Sequence, residues 1–168
     1  PQGTNERHFK VASDGTAHVR APAGQPQWKF TATPDRAPTI SLVKDPERQA
    51  RGSLQMSYKL EDDYGVTELH AELRLRDRPT APPLQAPITL TGAPKHAQGV
   101  QTQDLTAHPW AGLPVTARLV ARDAPGQTGM SAEAEFMLPE RPFQNVLARA
   151  VLAVRRQLSL TPDERQQA

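Results

Sequence analysis

The sequence predicts a mainly β protein: an immunoglobulin-like antiparallel β-sandwich with an N-terminal β-meander and a C-terminal α-helix. Three observations predict it. First, Glu61-Asp62-Asp63-Tyr64-Gly65-Val66 and Ala121-Arg122-Asp123-Ala124-Pro125-Gly126-Gln127 are acidic, glycine-closed turns that end alternating apolar runs, as small sandwiches reverse their strands. Second, apolar and polar residues alternate in about seven short runs, with turn residues every ten positions or so. Third, after Leu138-Pro139-Glu140-Arg141-Pro142 the apolar period lengthens from two to about 3.6, which begins a helix.

The first domain comprises residues 1–34 and reads as two or three short strands: Phe9 with Val11, Ala17 with Val19, and Trp28 with Phe30 and Ala32. Ser13-Asp14-Gly15-Thr16 supplies a hairpin turn, and Trp28, alternating with Phe30, reads as a core residue. So thin a meander cannot hold a core alone. It either pairs with the main sheet or is the tail of a preceding immunoglobulin-like domain, and its length favours the tail.

The sandwich occupies residues 35–140 and opens with the linker Pro34-Asp35-Arg36-Ala37-Pro38 and a short strand over 39–43. Leu54, Met56, Tyr58 and Leu60 share one strand face. Leu69, Ala71, Leu73 and Leu75 share the next, with Glu68, His70, Glu72, Arg74 and Arg76 suited to water. Residues 79–87 form a proline-broken edge and 88–90 a short strand. Val115, Ala117, Leu119 and Ala121 then face Met130, Ala132, Ala134, Phe136 and Leu138 across a turn containing Gly126 and Gly129. Residues 141–168 are the helical part. Phe143, Leu147, Ala150, Val151, Val154 and Leu158 form its apolar stripe, with Arg149, Arg155 and Arg156 off it, toward the end that the helix dipole favours for cations. Thr161-Pro162-Asp163-Glu164 reads as the capped start of another helix.

Composition narrows the function. The 168 residues carry 20 basic and 18 acidic side chains in no long basic block, which argues against nucleic acid as a partner. The 17 prolines and 10 glycines fit a loop-rich β protein. There is no cysteine, which removes disulfides, thiolate nucleophiles and sulfur-ligated zinc but leaves the redox compartment open. No stretch is apolar enough to span a membrane. The opening at Pro1 and the late helix start are expected of a piece of a longer chain, whose membrane anchor would lie elsewhere.

No residues assemble into a recognisable catalytic set, and none is assigned a catalytic or cofactor role. A hydrolase built on Ser57 or Ser131 would need a histidine nearby, yet His8, His18, His70, His96 and His108 are each at least 10 positions apart and no Gly-x-Ser-x-Gly elbow is present. Asp62, Asp63 and Asp123 are weak candidates for calcium, with Glu61 and Asp104 nearby in sequence. Against that, aspartates in turns ordinarily accept bonds from their own backbone. Trp110, in His108-Pro109-Trp110, stacks a ligand, anchors a partner or, the commoner role of such a residue, plugs an end of the sandwich. The stripe of the helix, Phe143, Leu147, Val151 and Val154, has to be covered, by the sandwich or by further helices, and with Trp110 and His108 it makes up the expected interaction surface. Contact of its arginines with anionic lipid is a minor alternative.

At this point the residues resemble a family. Asp62-Asp63-Tyr64-Gly65-Val66, His108-Pro109-Trp110-Ala111-Gly112-Leu113-Pro114-Val115, Ala121-Arg122-Asp123-Ala124-Pro125-Gly126-Gln127, and Leu138-Pro139-Glu140-Arg141 followed by Leu147-Ala148-Arg149-Ala150 are similar to an alphaproteobacterial, membrane-anchored envelope family, domain of unknown function 4175. The resemblance covers about residues 27–168. It implies N-terminal transmembrane helices in the parent, then immunoglobulin-like domains and a long helical region outside the cytoplasm. It implies no established activity and no catalytic residues.

Taken together, these observations lead to the expectation of a non-enzymatic structural and protein-interaction module, without cofactor, on the periplasmic side of the bacterial inner membrane. Its partners would be proteins or neighbouring domains of the parent chain, and this segment would not itself insert in a membrane. The alternative is an envelope ligand-binding domain for glycan or calcium, or a hydrolytic one, using the loops around Asp63, Trp110 and Asp123.

Overall fold

Alternation at Leu54, Met56, Tyr58 and Leu60 puts four apolar side chains on one face of a strand, and all four are buried. This pattern recurs through a computed structural model that describes residues 11–18 and 26–160, with side chains to residue 157. The described residues are mainly β, arranged in antiparallel sheets and followed by a C-terminal helix. The chain divides into two compact units, Pro1–Asp35 and Arg36–Ala168.

In the first unit, β1 (Gly15–His18) pairs antiparallel with β2 (Gln27–Phe30), and the Asp14 carboxylate accepts the Ala32 N–H at 2.8 Å. Val11 lies outside the strands, and the positions of Phe9 and Val19 fall outside the described residues. Trp28 is 49% exposed rather than part of a core, because two four-residue strands have no opposing layer against which to bury it.

In the second unit, β3 (Thr39–Arg48), β4 (Leu54–Glu61) and β7 (His96–Gln103) form one sheet in the order β3-β4-β7. The other sheet has the order β10-β8-β5-β6. Its members are β5 (Val66–Leu75), β6 (Leu84–Pro87), β8 (Pro114–Asp123) and β10 (Ala134–Met137), with β9 (Thr128–Met130) pairing further along β8. Leu54, Met56 and Leu60 of the first sheet and Leu69, Leu73, Val115 and Leu119 of the second belong to one buried cluster. Each such leucine removed from water contributes about 2 kcal/mol.

The strands depart from the sequence expectation in four places. β3 runs on to Arg48, past Pro46, because two register shifts absorb the proline while pairing with β4 continues. No strand covers 88–90; the edge strand is β6, inside the stretch 79–87 expected as a proline-broken edge, although the Ile88 N–H still bonds to the Leu69 carbonyl. β7 has no counterpart in the sequence reading. Gly129 lies in β9 rather than in a turn, and Met130 and Ala132 are exposed. The phase changes there because Ser131 breaks the strand and turns inward. Its hydroxyl accepts the Leu119 N–H at 2.9 Å and donates to the Ala132 carbonyl at 2.8 Å.

The helix α1 (Val146–Leu160) starts at Asn145, whose side-chain oxygen accepts the Leu147 and Ala148 N–H groups at 2.8 and 3.4 Å. Its last turn carries no basic residue, so Arg155 and Arg156 do not serve as dipole partners there. Thr161 lies outside the described residues.

Candidate functional site

Pairing of Val66 with Asp123, and of Glu61 with both Thr39 and His96, gathers the two acidic turns at one end of the second unit. There Asp62 is buried and its Oδ2 accepts the N–H groups of Tyr64, at 3.1 Å, and Gly65. Gly65 sits at φ 112°, and a Cβ on it would fall 2.4 Å from the Ala93 carbonyl oxygen, so the turn requires glycine. Asp123 is 2% exposed, and its Oδ1 accepts the Gly126 and Gln127 N–H groups, both at 2.7 Å. Both aspartates therefore build their own turns. Their other oxygens, Asp62 Oδ1 and Asp123 Oδ2, are buried without a hydrogen-bond partner, as is Asp63 Oδ1. Asp62 and Asp63 also line an open cleft of about 410 Å³ with Arg36, Glu61, Lys95 and His96. Asp123 does not line it, and among the described residues no three histidine, aspartate or glutamate side chains are placed to hold one metal ion.

His108 and Trp110 lie at the other end. They precede the start of β8, whereas Asp123 ends it; ten residues of strand place the two groups on the order of 30 Å apart. Successive turns, from the His108 N–H to the Leu105 carbonyl and from the Ala111 N–H to the His108 carbonyl, coil the loop tightly. Trp110 packs against the core cluster. The His108 ring meets its indole edge-on, with centroids 5.0 Å apart, and accepts the Trp110 N–H on Nδ1 at 3.2 Å. Burial, and then the charge of Arg155, hold the His108 pKa below its ordinary value. A neutral ring that accepts on Nδ1 carries its proton on Nε2.

The helix meets this loop through two guanidinium groups. Arg155 donates to the His108 carbonyl, and Arg156 pairs with the Glu140 carboxylate. Gly112 makes room for that pair, since a Cβ there would fall 2.7 Å from both Arg156 Nε and Glu140 Oε2. Ala148, Leu152, Arg155 and Arg156 are the half-buried face of the helix. The apolar stripe points elsewhere: Phe143 is 40% exposed, Val151 62%, Val154 57%, and Val146 and Leu147 more than 70%. Of the two expected coverings, the first is not supplied by the sheets.

Of the sequence-expected site residues, then, Asp62 and Asp63 share a cleft, His108 touches Trp110, and Leu147, Val151 and Val154 share an exposed helical face, whereas Phe143, expected in the same stripe, precedes the helix because Asn145 caps it; the three groups remain separate. Sequence reasoning missed the fastening roles of Glu140, Arg155 and Arg156. Positions 16 and 47 residues apart leave no periodic signal. Ser131, considered above as a nucleophile, has its hydroxyl engaged by backbone.

A β-rich protein whose described residues close with a helix bearing an exposed apolar face is the class these observations define. The chain belongs to the family Domain of unknown function (DUF4175), which matches it over residues 1–168, further toward the N-terminus than the motifs alone reach. No curated protein sequence matches it closely enough to lend it a function.

Proposed function

We propose that this chain is a non-enzymatic, immunoglobulin-like structural and protein-interaction module from the extracytoplasmic, periplasmic part of a membrane-anchored bacterial envelope protein. The observation that carries the reading is the stripe of Leu147, Val151 and Val154, which the body of the unit leaves in water. A contiguous exposed apolar face is a mark of contact with another surface. In support of the immunoglobulin-like assignment, the orders β3-β4-β7 and β10-β8-β5-β6 correspond to strands A-B-E and G-F-C-C′ of that sandwich. The alternative of one ligand site on Asp63, Trp110 and Asp123 is disfavoured by the length of β8 between the tryptophan and the aspartates. No helix among the described residues is long and apolar enough to cross a membrane, so the anchor in this reading belongs to another part of the parent.

The test is site-specific photo-crosslinking in cells that make the intact protein, with the probe at Leu147 or Val151, on the other side of the helix at Arg149, or on the sheet at Glu68. Defined protein adducts at the first pair alone support the reading. Adducts that arise instead from the probes at Arg149 or Glu68 refute it. A periplasm-restricted reporter fused after residue 168 tests the compartment, with an inactive fusion as the contrary result.

A further inference from the structure

We propose that β7 is a self-association edge, at which two copies of this chain pair their β7 strands antiparallel about a two-fold axis through Val100. This goes beyond the function proposed above and does not depend on it. A strand at the rim of a sheet presents a row of unpaired N–H and C=O groups, and proteins blunt such rims with short strands, prolines, bulges or charges. Three rims of the second unit are blunted. β3 carries Lys44, Asp45, Pro46 and Glu47 and two register shifts. β6 is four residues long, ends at Pro87 and follows Pro82 and Pro83. β10 is also four residues long, contains Glu135 and follows Glu133.

β7 has none of these devices. Its eight residues, His96-Ala97-Gln98-Gly99-Val100-Gln101-Thr102-Gln103, pair with β4 without a register shift, and on its other side no strand pairs with it among the described residues. It contains no proline, lysine, arginine, aspartate or glutamate. Ala97, Gly99, Gln101 and Gln103 are half-buried, and Gln103 Oε1 is buried without a hydrogen-bond partner. Gly99 leaves space for the Tyr58 ring, whose hydroxyl would lie 2.7 Å from a Cβ added there, so the pairing with β4 at the centre of the strand requires glycine.

The edge also fits its own copy. Residues that face the same way must meet across the axis, which allows Val100 opposite Val100, Gly99 opposite Gln101, Gln98 opposite Thr102 and Ala97 opposite Gln103. The next pair sets His96 against Asp104, so no like charges face each other. Val100, 58% exposed in the single copy, gains an apolar partner on the axis. Strand pairing of this length buries little area, so the dimer is weak, with a Kd on the order of 10–100 µM.

The test is sedimentation equilibrium of the whole chain from about 1 to 300 µM, a range that brackets the expected Kd. Val100→Lys and Val100→Glu each set like charges on the axis and weaken the dimer at least about tenfold, with circular dichroism unchanged. An equimolar mixture of the two variants restores association, which a merely structural role of Val100 would not do. Leu147→Asp with Val151→Asp leaves the dimer intact. A chain that is monomeric at every concentration overturns the proposal. So does a dimer that persists in Val100→Lys and is lost in the Leu147/Val151 variant, a result that would leave the function proposed for the helix standing.

Discussion

Asp123→Ala removes the acceptor on which the turn after β8 is built. In the folded chain Asp123 Oδ1 receives two N–H groups, from Gly126 and Gln127, each at 2.7 Å, on a residue 2% exposed. Hydrogen bonds to a charged acceptor contribute about 1.5–3 kcal/mol each, and water reaching the opened turn recovers part of that. The expected loss is therefore about 3 kcal/mol. Asp123→Asn keeps an oxygen where Oδ1 stands and replaces Oδ2, which has no partner, with an amide. Its expected cost is below about 1 kcal/mol, because the geometry of the turn survives and a buried charge is removed. Urea unfolding at pH 7 measures both, with unchanged slopes needed for the midpoints to be compared. If Asp123→Asn destabilised as much as Asp123→Ala, the carboxylate charge rather than turn acceptance would be what matters. If calcium then raised the wild-type midpoint over that in chelator, the account of Asp123 as a turn builder would be refuted in favour of a cation site.

Further predictions concern close packing, the helix and pH. Gly129→Ala would place a Cβ 1.8 Å from the Pro38 carbonyl oxygen and 2.7 Å from its carbon, so β9 must move away from the chain entering β3. The expected cost is about 2–3 kcal/mol in the same unfolding assay. Arg155→Ala with Arg156→Ala removes the His108 and Glu140 contacts, and hydrogen exchange of α1 amides should quicken while β5 and β8 amides are unchanged. The His108 pKa is depressed in the folded state, so the unfolded chain takes up the proton first as pH falls below 6.5. Thermal stability should therefore drop between pH 7.5 and pH 5.5, and less so in His108→Gln. The carboxyl of Glu72 behaves differently. Burial alone would raise its pKa, but bonds from Arg74 and Arg118 outweigh burial and lower it, so its contribution is lost only as pH falls below 4.5.

The inward strands were legible because their code is local. Leu69, Ala71, Leu73 and Leu75 alternate, are all buried, and need only a period of two to be seen. The acidic turns were legible for a similar reason, since aspartate and glycine within four residues carry their own hydrogen-bonding chemistry. β7 was not legible. His96-Ala97-Gln98-Gly99-Val100-Gln101-Thr102-Gln103 has no apolar alternation, and it is a strand because β4 offers it a continuous ladder. Nor could a period show which face of the helix meets the body. The stripe from Leu147 to Val154 is the more apolar, yet Arg155 and Arg156 make the contact, through a carbonyl and a carboxylate supplied by distant loops.

That choice of face has an energetic consequence. A helix held by its apolar stripe would gain about 2 kcal/mol for each large side chain buried, and would then have no apolar surface left to offer. Here the Arg156 side chain is 37% and the Glu140 side chain 31% exposed, so their pair contributes on the order of 1 kcal/mol and is weakened by salt. Arg155 adds a bond to a neutral carbonyl. The helix is thus lightly fastened while Leu147, Val151 and Val154 stay in water. A partner can therefore bury those three side chains without displacing the two arginines. Raising salt from 0.05 to 0.5 M, about a threefold shortening of the screening length, should quicken exchange in α1 and leave the β5 and β8 ladder unchanged. Equal protection of α1 at both salt concentrations would show that Leu152 and Ala148, not the guanidinium groups, hold the helix in place.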